Sequence, residues 1–395
     1  MAGTDLVLPA IPALPAALGG SPERAQLVLA AFTGGMAAGL ILFGELGARF
    51  DQRRLLAGSL WLFAAVSLLC MLVSSLNALI VARFVQGATG AAAAVIAPGM
   101  LRLLYRDKVV SALGLFGSIE ALAPALAPIL GASLLPFFGW RGSFGLLAIL
   151  AALLALLAMR LAARLPRPEV RAAGSYHALV QKKGFIALAL SHACALAALL
   201  TIVFAAPALF AGPLQGSIAD FIGMQVCGVA VFILTANLTG RLVRRWGARR
   251  VILAGGMLML TGSVLLAGYG AARGHSAVII TGMFVLVNGG LGLRGPPGFH
   301  AAIVAAGGDD ARGAAAVVIA ILGATTLATA AVAPVISFGL AGPALAATSL
   351  AVLALMLAMF RMHDRAPDAD LPALQPAAAD PPKPARTKSR TRPRP

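Results

Sequence analysis

The sequence predicts an all-α integral membrane protein built as two six-helix halves, and three observations carry that prediction. The first is composition: 60% of the 395 residues are apolar, only 11% are charged, and the mean hydropathy is +0.91. A soluble chain of this size leaves roughly a quarter of its surface in water, too much for so apolar a composition. Lipid is therefore the solvent for much of it. The second is a series of about a dozen apolar segments, each near the roughly 20 residues a helix needs to cross a bilayer. The third is a repeated basic loop, Gly44-Glu-Leu-Gly-Ala-Arg-Phe-Asp-Gln-Arg-Arg54 and Gly240-Arg-Leu-Val-Arg-Arg-Trp-Gly-Ala-Arg-Arg250. Each copy follows the second apolar segment of its half, which is the pattern of a duplicated bundle.

The segments fall near 6–19, 26–47, 54–74, 78–101, 110–135, 143–163, 185–211, 218–240, 251–271, 276–304, 313–340 and 343–361. None alternates with the period of two that a lipid-facing strand requires. The first is short and carries Pro9, Pro12 and Pro15. It reads as a helix lacking its cytoplasmic half, most simply because the true start lies upstream. Residues 164–184 are polar, basic and Pro-containing, and read as a cytoplasmic linker between an N-terminal bundle (1–163) and a C-terminal bundle (185–363). Residues 364–395 are rich in Pro, Ala and basic side chains; such a stretch cannot bury a core and reads as a disordered cytoplasmic tail.

Charge fixes the orientation. With both termini cytoplasmic, 27 of the 31 basic residues fall on the cytoplasmic side, Arg294 and Arg312 among them as flanks of the tenth loop. Arg24, Arg141 and Arg273 fall outside, and Arg83 lies within a helix. The positive-inside rule then places the chain in a cell inner membrane. It also accounts for the net charge of +17 without nucleic acid, because the charges alternate between loops instead of gathering on one face. Cys70, Cys194 and Cys227 sit singly in apolar runs, so neither a disulfide framework nor a thiolate metal site is indicated. The five histidines are scattered, no HExxH occurs, and no GxxxxGK[ST] loop is present. No enzyme, metal or cofactor is expected.

Five further stretches lie in order along the chain: Thr4-Asp-Leu-Val-Leu-Pro-Ala-Ile-Pro12, the loop Gly44–Arg54, Ala82-Arg-Phe-Val-Gln-Gly87, Ala123-Pro-Ala-Leu-Ala-Pro-Ile-Leu-Gly131 and Gly139-Trp-Arg-Gly-Ser-Phe144. Together they resemble the signatures of the major facilitator superfamily, in particular the twelve-helix drug:proton antiporters of the Bcr/CflA type. The resemblance runs from residue 4 to about 361. It implies two pseudo-symmetric bundles and export of lipophilic or cationic small molecules in exchange for protons. It also implies gating roles for the two loops, through Gly44, Arg49, Arg53, Arg54, Gly240, Arg245, Gly247 and Arg249. The chain departs from the pattern at Ala48, where the family's loop aspartate stands, and at Asp51, where its second glycine stands. The second copy keeps Gly247 but carries Arg244 at the acid position. Glu45 and Asp51 are the acids available as substitutes.

The residue types make physical sense. Glycines at 34–39, 87–90 and 114–117 allow close helix approach in lipid. Pro124 and Pro128 remove backbone donors and should bend the fifth segment, which ends its motif at Gly131. A charge at the bilayer centre costs about 2.5–3.5 kcal/mol on insertion scales, so Asp5, Arg83 and Glu120 are the candidates for proton coupling and substrate binding. Removal from water favours the neutral form of a carboxyl, which can then take up a proton near neutral pH. Its charged form binds a cation instead, and that competition is an antiport mechanism. The bland alternative is a static ion pair between two helices. His192 is a weaker proton-relay candidate, and Asp220 reads as a helix cap. Gln86, Gln225, Asn237 and Asn288 are candidate cavity or interhelical groups. Phe32, Phe116, Phe204 and Phe284 read as packing residues that a lipophilic ligand could also touch. A metabolite exporter or uniporter of the same fold, or a transport-inactive scaffold, fits the same pattern. The partners expected are a small-molecule substrate, protons and the bilayer. The two-bundle design needs no second subunit, so a monomer is expected.

Overall fold

The computed structural model describes residues 2–104, 109–161, 179–307 and 310–363. Most of the expected linker, and the whole of the 364–395 tail, lie outside the described residues. Among the described residues there are twelve helical segments and no strand.

The first segment, α1 (Gly3–Leu18), is broken. An α-helical turn Ala2–Asp5 gives way to a 3-10 stretch Leu8–Ala13 and then to a short helix Leu14–Leu18. The cause is local: Pro9 and Pro12 lack the N–H groups that would have bonded the carbonyls of Asp5 and Leu8. The chain tightens instead, with Val7 N donating to Thr4 O and Ala10 N to Val7 O. Next come α2 (Pro22–Arg49), α3 (Gln52–Leu72), α4 (Leu76–Leu104), α5 (Val109–Phe138) and α6 (Arg141–Leu161). The second half repeats the count. It holds α7 (Lys183–Ala211), α8 (Ile218–Trp246), α9 (Ala248–Ala271), α10 (Ala277–Ala305), α11 (Asp310–Val332) and α12 (Ala341–His363). A 3-10 stretch, Ala333–Phe338, extends α11. Ten of these are long and apolar enough to cross a membrane.

Caps set several boundaries. Ser21 accepts from Arg24 N ahead of Pro22, which takes the first helical position where a missing N–H costs nothing. Ser217 and Asp220 close a reciprocal capping box at the start of α8, as expected of Asp220.

The two halves share one packing plan. In the first, α2 packs on α4, and α3 packs on α6 and α4; in the second, α8 packs on α10, and α9 on α12 and α10. Glycines permit the closest approaches. Added side-chain carbons at Gly35 and Gly39 of α2 would collide with the Phe84 and Ala88 carbonyls of α4. In the second half a Cβ at Gly255 would stand 2.6 Å from the Gly290 carbonyl oxygen, and one at Gly290 2.5 Å from that of Gly255. The outward faces are apolar: Leu62, Leu69, Leu72, Leu153, Leu154 and Leu157 are all exposed, as lipid contact requires.

Between the halves, α2 lies along α11. The Glu23 side chain accepts from the Ser337 hydroxyl near one end. The Thr33 and Thr326 hydroxyls meet at 2.9 Å farther along. Leu40 packs with Leu322 beyond them, flanked by Met36, Val318 and Ile319. α5 against α8 and α1 against α7 complete the junction.

Candidate functional site

α1, broken by its prolines, is held in place by side chains from its neighbours. Arg83 of α4 donates through Nη1 to the Gly3 carbonyl at 3.1 Å, and Ser143 of α6 donates to the Leu6 carbonyl at 2.9 Å. Arg83 is fully buried. Its Nη1 also donates to Gln86 Oε1 at 2.6 Å, and Gln86 Nε2 donates to Ser67 Oγ of α3 at 2.6 Å. Ser67 passes its own proton to the Phe63 carbonyl at 2.7 Å. The guanidinium lies 4.0 Å from the ring centroid of Phe32, with the Phe144 ring at 5.8 Å, so aromatic faces replace part of its lost hydration. Arg83 Nε and Nη2 have no hydrogen-bond partner.

Asp5 is buried on α1, two residues beyond the carbonyl that Arg83 grips. Its Oδ2 has no hydrogen-bond partner. Among the described residues no ion pair joins Asp5 to Arg83: each lies in the same core, yet neither neutralises the other. Arg83 thus bonds the backbone of the turn that carries Asp5 and not the Asp5 carboxylate.

Glu120 departs from expectation. Its side chain is exposed on α5 and bonds no other described residue, so it is not a buried charge. Farther along α5, Pro124 is half-buried, Pro128 is buried, and Gly131 packs so tightly on α1 that a Cβ there would collide with the Leu6 carbonyl.

A second correction concerns Arg294. The loop expected to carry it does not begin there, because α10 continues to Ala305 and Arg294 is buried inside it. Arg294 Nη2 donates to Ser191 Oγ of α7 at 2.8 Å and to the Ser191 carbonyl at 3.2 Å. Ser191 Oγ donates in turn to the Ala354 carbonyl of α12 at 2.6 Å. Just beyond, Pro296 and Pro297 leave the Gly292 and Leu293 carbonyls without helical donors. The Thr239 hydroxyl of α8 stands 3.1 Å from the first and 3.5 Å from the second. A long apolar run with Gly-Pro-Pro after the arginine resembles a helix end in sequence; the threonine beside the break comes from a distant segment, and its nearest acceptor is its own Thr235 carbonyl at 2.8 Å.

The weaker candidates resolve individually. His192 is buried with Nδ1 unpartnered, its ring 5.4 Å from that of Phe299. Gln225 is buried with an unpartnered Oε1, whereas Asn288 and Asn237 donate to carbonyls of their own helices. Phe204 and Phe284 are core residues. Phe116 lies outside the described side chains.

The two basic loops build one turn in two ways. In the second copy Gly247 adopts φ +81°, a conformation that favours glycine, between α8 and α9. In the first, Asp51 takes that place at φ −59° and caps α3, accepting from Arg53 N at 3.0 Å. Its carboxylate also takes the Arg53 side chain, through Nη2 to Oδ2 at 2.7 Å and Nε to Oδ1 at 3.1 Å. These bonds hold the Asp51 carboxyl well below the usual carboxylate range. Glu45 makes an exposed contact to Arg49, one turn along its own helix, at 3.8 Å. Both acids are thus engaged within the loop. Gly44 and Gly240 lie near the ends of α2 and α8; Arg54, Arg245 and Arg249 pair with no acid among the described residues.

Among the described residues, twelve helical segments form two matched halves, with Asp5, Arg83 and Arg294 buried inside them. The family model for the Major Facilitator Superfamily matches residues 1–324, and the chain belongs to that superfamily. It is 30% identical over 272 residues to a chloramphenicol resistance protein of Pseudomonas aeruginosa, covering 67% of this chain and 64% of that one. It is 32% identical over 154 residues to a bicyclomycin resistance protein homolog of Haemophilus influenzae, covering 38% of this chain and 39% of that one. Multidrug resistance protein MdtL of Salmonella heidelberg is 24% identical over 272 residues, covering 67% and 69%. The chain thus spans less than two thirds of the first two relatives. The chain is a multi-pass membrane protein of that superfamily.

Proposed function

We propose that the chain exports lipophilic or cationic small molecules in exchange for protons by alternating access, with Asp5 as the group for which proton and substrate compete. The observation that carries this reading is Asp5 itself, a buried carboxyl with an unpartnered oxygen and no ion pair among the described residues. An ionisable side chain buried within a membrane segment is a functional group by default. Protonated, it loses its charge and tolerates the apolar core. Deprotonated, it attracts a cation, and the two states exclude each other. Arg83 is the positioning residue: its grip on the Gly3 carbonyl fixes the α1 turn that carries Asp5. Glu120, on the exposed face of α5, is the second proton-exchanging candidate. The names of the relatives support a drug-like substrate.

The moving units are residues 1–163 and 185–363, joined by 164–184. The basic loops support cytoplasmic termini and an inner-membrane location. The loops Gly44–Arg54 and Gly240–Arg250 would then limit opening toward the cytoplasm, and the transporter works as a monomer.

The test uses proteoliposomes with a trapped pH dye and tetraphenylphosphonium as the substrate cation. The wild type should exchange the cation for protons, and Asp5→Asn should reduce that exchange at least tenfold while inserting and folding normally. Undiminished exchange by Asp5→Asn, alone and combined with Glu120→Gln, would remove both acids from the mechanism.

A further inference from the structure

The charge on Arg294 has no acid to answer it in its own surroundings. Helices α7 to α10 carry a single carboxylate, Asp220, and that group is committed to the capping box with Ser217 at the start of α8. Arg294 is 1% exposed, with a neutral serine as its side-chain partner and Nε without any partner. One helical turn farther along the same face of α10 stands Gly298. Above it lies His192, 7% exposed, with Nδ1 also unpartnered. Two nitrogen-bearing side chains, each more than nine-tenths buried, therefore present free polar atoms beside one turn of α10.

The glycines nearby keep side chains away from these atoms. A Cβ at Gly298 would lie 3.5 Å from His192 Nδ1, and one at Gly256 of α9 would lie 3.7 Å from Arg294 Nη1. Phe299 closes one side against the histidine ring. The chemistry is donor-rich, positively charged and apolar-walled. Among the described residues it lacks the acid that would make it a salt bridge.

We infer that Arg294, Ser191 and His192 form a binding site for a small monovalent anion within the second half, taking either a halide or the carboxylate end of a small solute. The guanidinium supplies the charge. Ser191 fixes its orientation by spending its own proton on the Ala354 carbonyl and accepting from Nη2. His192 donates from Nδ1 in the tautomer that places its proton there. Occupancy ties α7, α10 and α12 together around a neutralised charge. The inference concerns the same transporter but does not rest on proton coupling, because binding is read at equilibrium without a gradient.

The experiment measures the thermal unfolding midpoint of the purified full chain in lipid nanodiscs, titrated with sodium chloride or sodium acetate. Sodium sulfate at matched ionic strength is the reference, its divalent anion lying outside the monovalent class proposed. A ligand that binds only the folded state raises the midpoint in a saturating manner. Saturation with chloride alone marks a halide site, and saturation with acetate extends it to carboxylates. Arg294→Gln should abolish the saturating rise. Gly298→Ala, whose methyl makes only ordinary contact with its surroundings, should raise the half-saturating concentration at least tenfold, and it decides the matter if Arg294→Gln does not fold. Arg83→Gln, in the other half, should keep the wild-type response. A rise that fails to saturate with both anions, or that is equal in Arg294→Gln and Gly298→Ala, would overturn the site.

Discussion

Replacing Gln86 by leucine isolates the polar link that holds Arg83 in the first half. Leucine matches glutamine in bulk, so packing changes little; a long contact from Cys70 Sγ to Oε1 at 3.9 Å is lost, and with it two short bonds. One is the 2.6 Å bond from Arg83 Nη1 to Oε1, the other the 2.6 Å bond from Nε2 to Ser67 Oγ. A bond to a charged group contributes about 1.5–3 kcal/mol and a neutral one about 1 kcal/mol. Interhelical polar contacts within membranes run lower, averaging about 0.6 kcal/mol. Ser67 keeps the Phe63 carbonyl and Arg83 keeps that of Gly3, so neither partner is wholly stranded. The expected loss is about 2 kcal/mol in unfolding free energy, measured by SDS titration in mixed micelles. Gln86→Glu keeps the acceptor and sets a negative charge against Arg83 while giving up the bond to Ser67. It should stay within about 1 kcal/mol of wild type, because charge-assisted bonds are the stronger class. A Gln86→Leu protein within about 0.5 kcal/mol of wild type, or a glutamate as damaging as the leucine, would refute the reasoning.

The Thr33–Thr326 contact between α2 and α11 should give a coupling of about 1 kcal/mol in a double-mutant cycle with valine at each position. Additive losses would show that the hydroxyls bond elsewhere. Asp51→Ala removes the α3 cap and should cost about 1 kcal/mol. The Asp51 carboxyl titrates below its usual range in the folded protein, so its contribution is present above the unfolded value of about 3.9 and fades as pH falls below it. Stability measured from pH 6 down to pH 3 should therefore decline more in wild type than in Asp51→Asn; parallel curves would place the bond outside the folding balance.

Segment number, duplication and the helix caps were legible because each is written locally. Apolar length sets a helix, and Ser217 three residues before Asp220 sets a capping box. Even the broken first helix was foreshadowed by Pro9 and Pro12, although only coordinates show the carbonyls of Gly3 and Leu6 passing to Arg83 and Ser143. What could not be read is phase and distance. A helix apolar on every side gives no sign of which face is buried, so the exposure of Glu120 was not legible. Arg294 was counted among the cytoplasmic charges as a flank of the tenth loop. Its side-chain partner, Ser191, lies 103 residues away in sequence, beyond the reach of any local pattern.

The Pro296–Pro297 pair gives α10 a mechanical character that the other helices lack among the described residues. Two consecutive rungs of the main-chain ladder are missing there, and the Thr239 hydroxyl of α8, which also bonds its own Thr235 carbonyl at 2.8 Å, lies within reach of both freed carbonyls. A helix interrupted in this way bends more readily at that point than along its continuous turns, so the stretch that runs on to Ala305 can change direction without breaking the turns that carry Arg294.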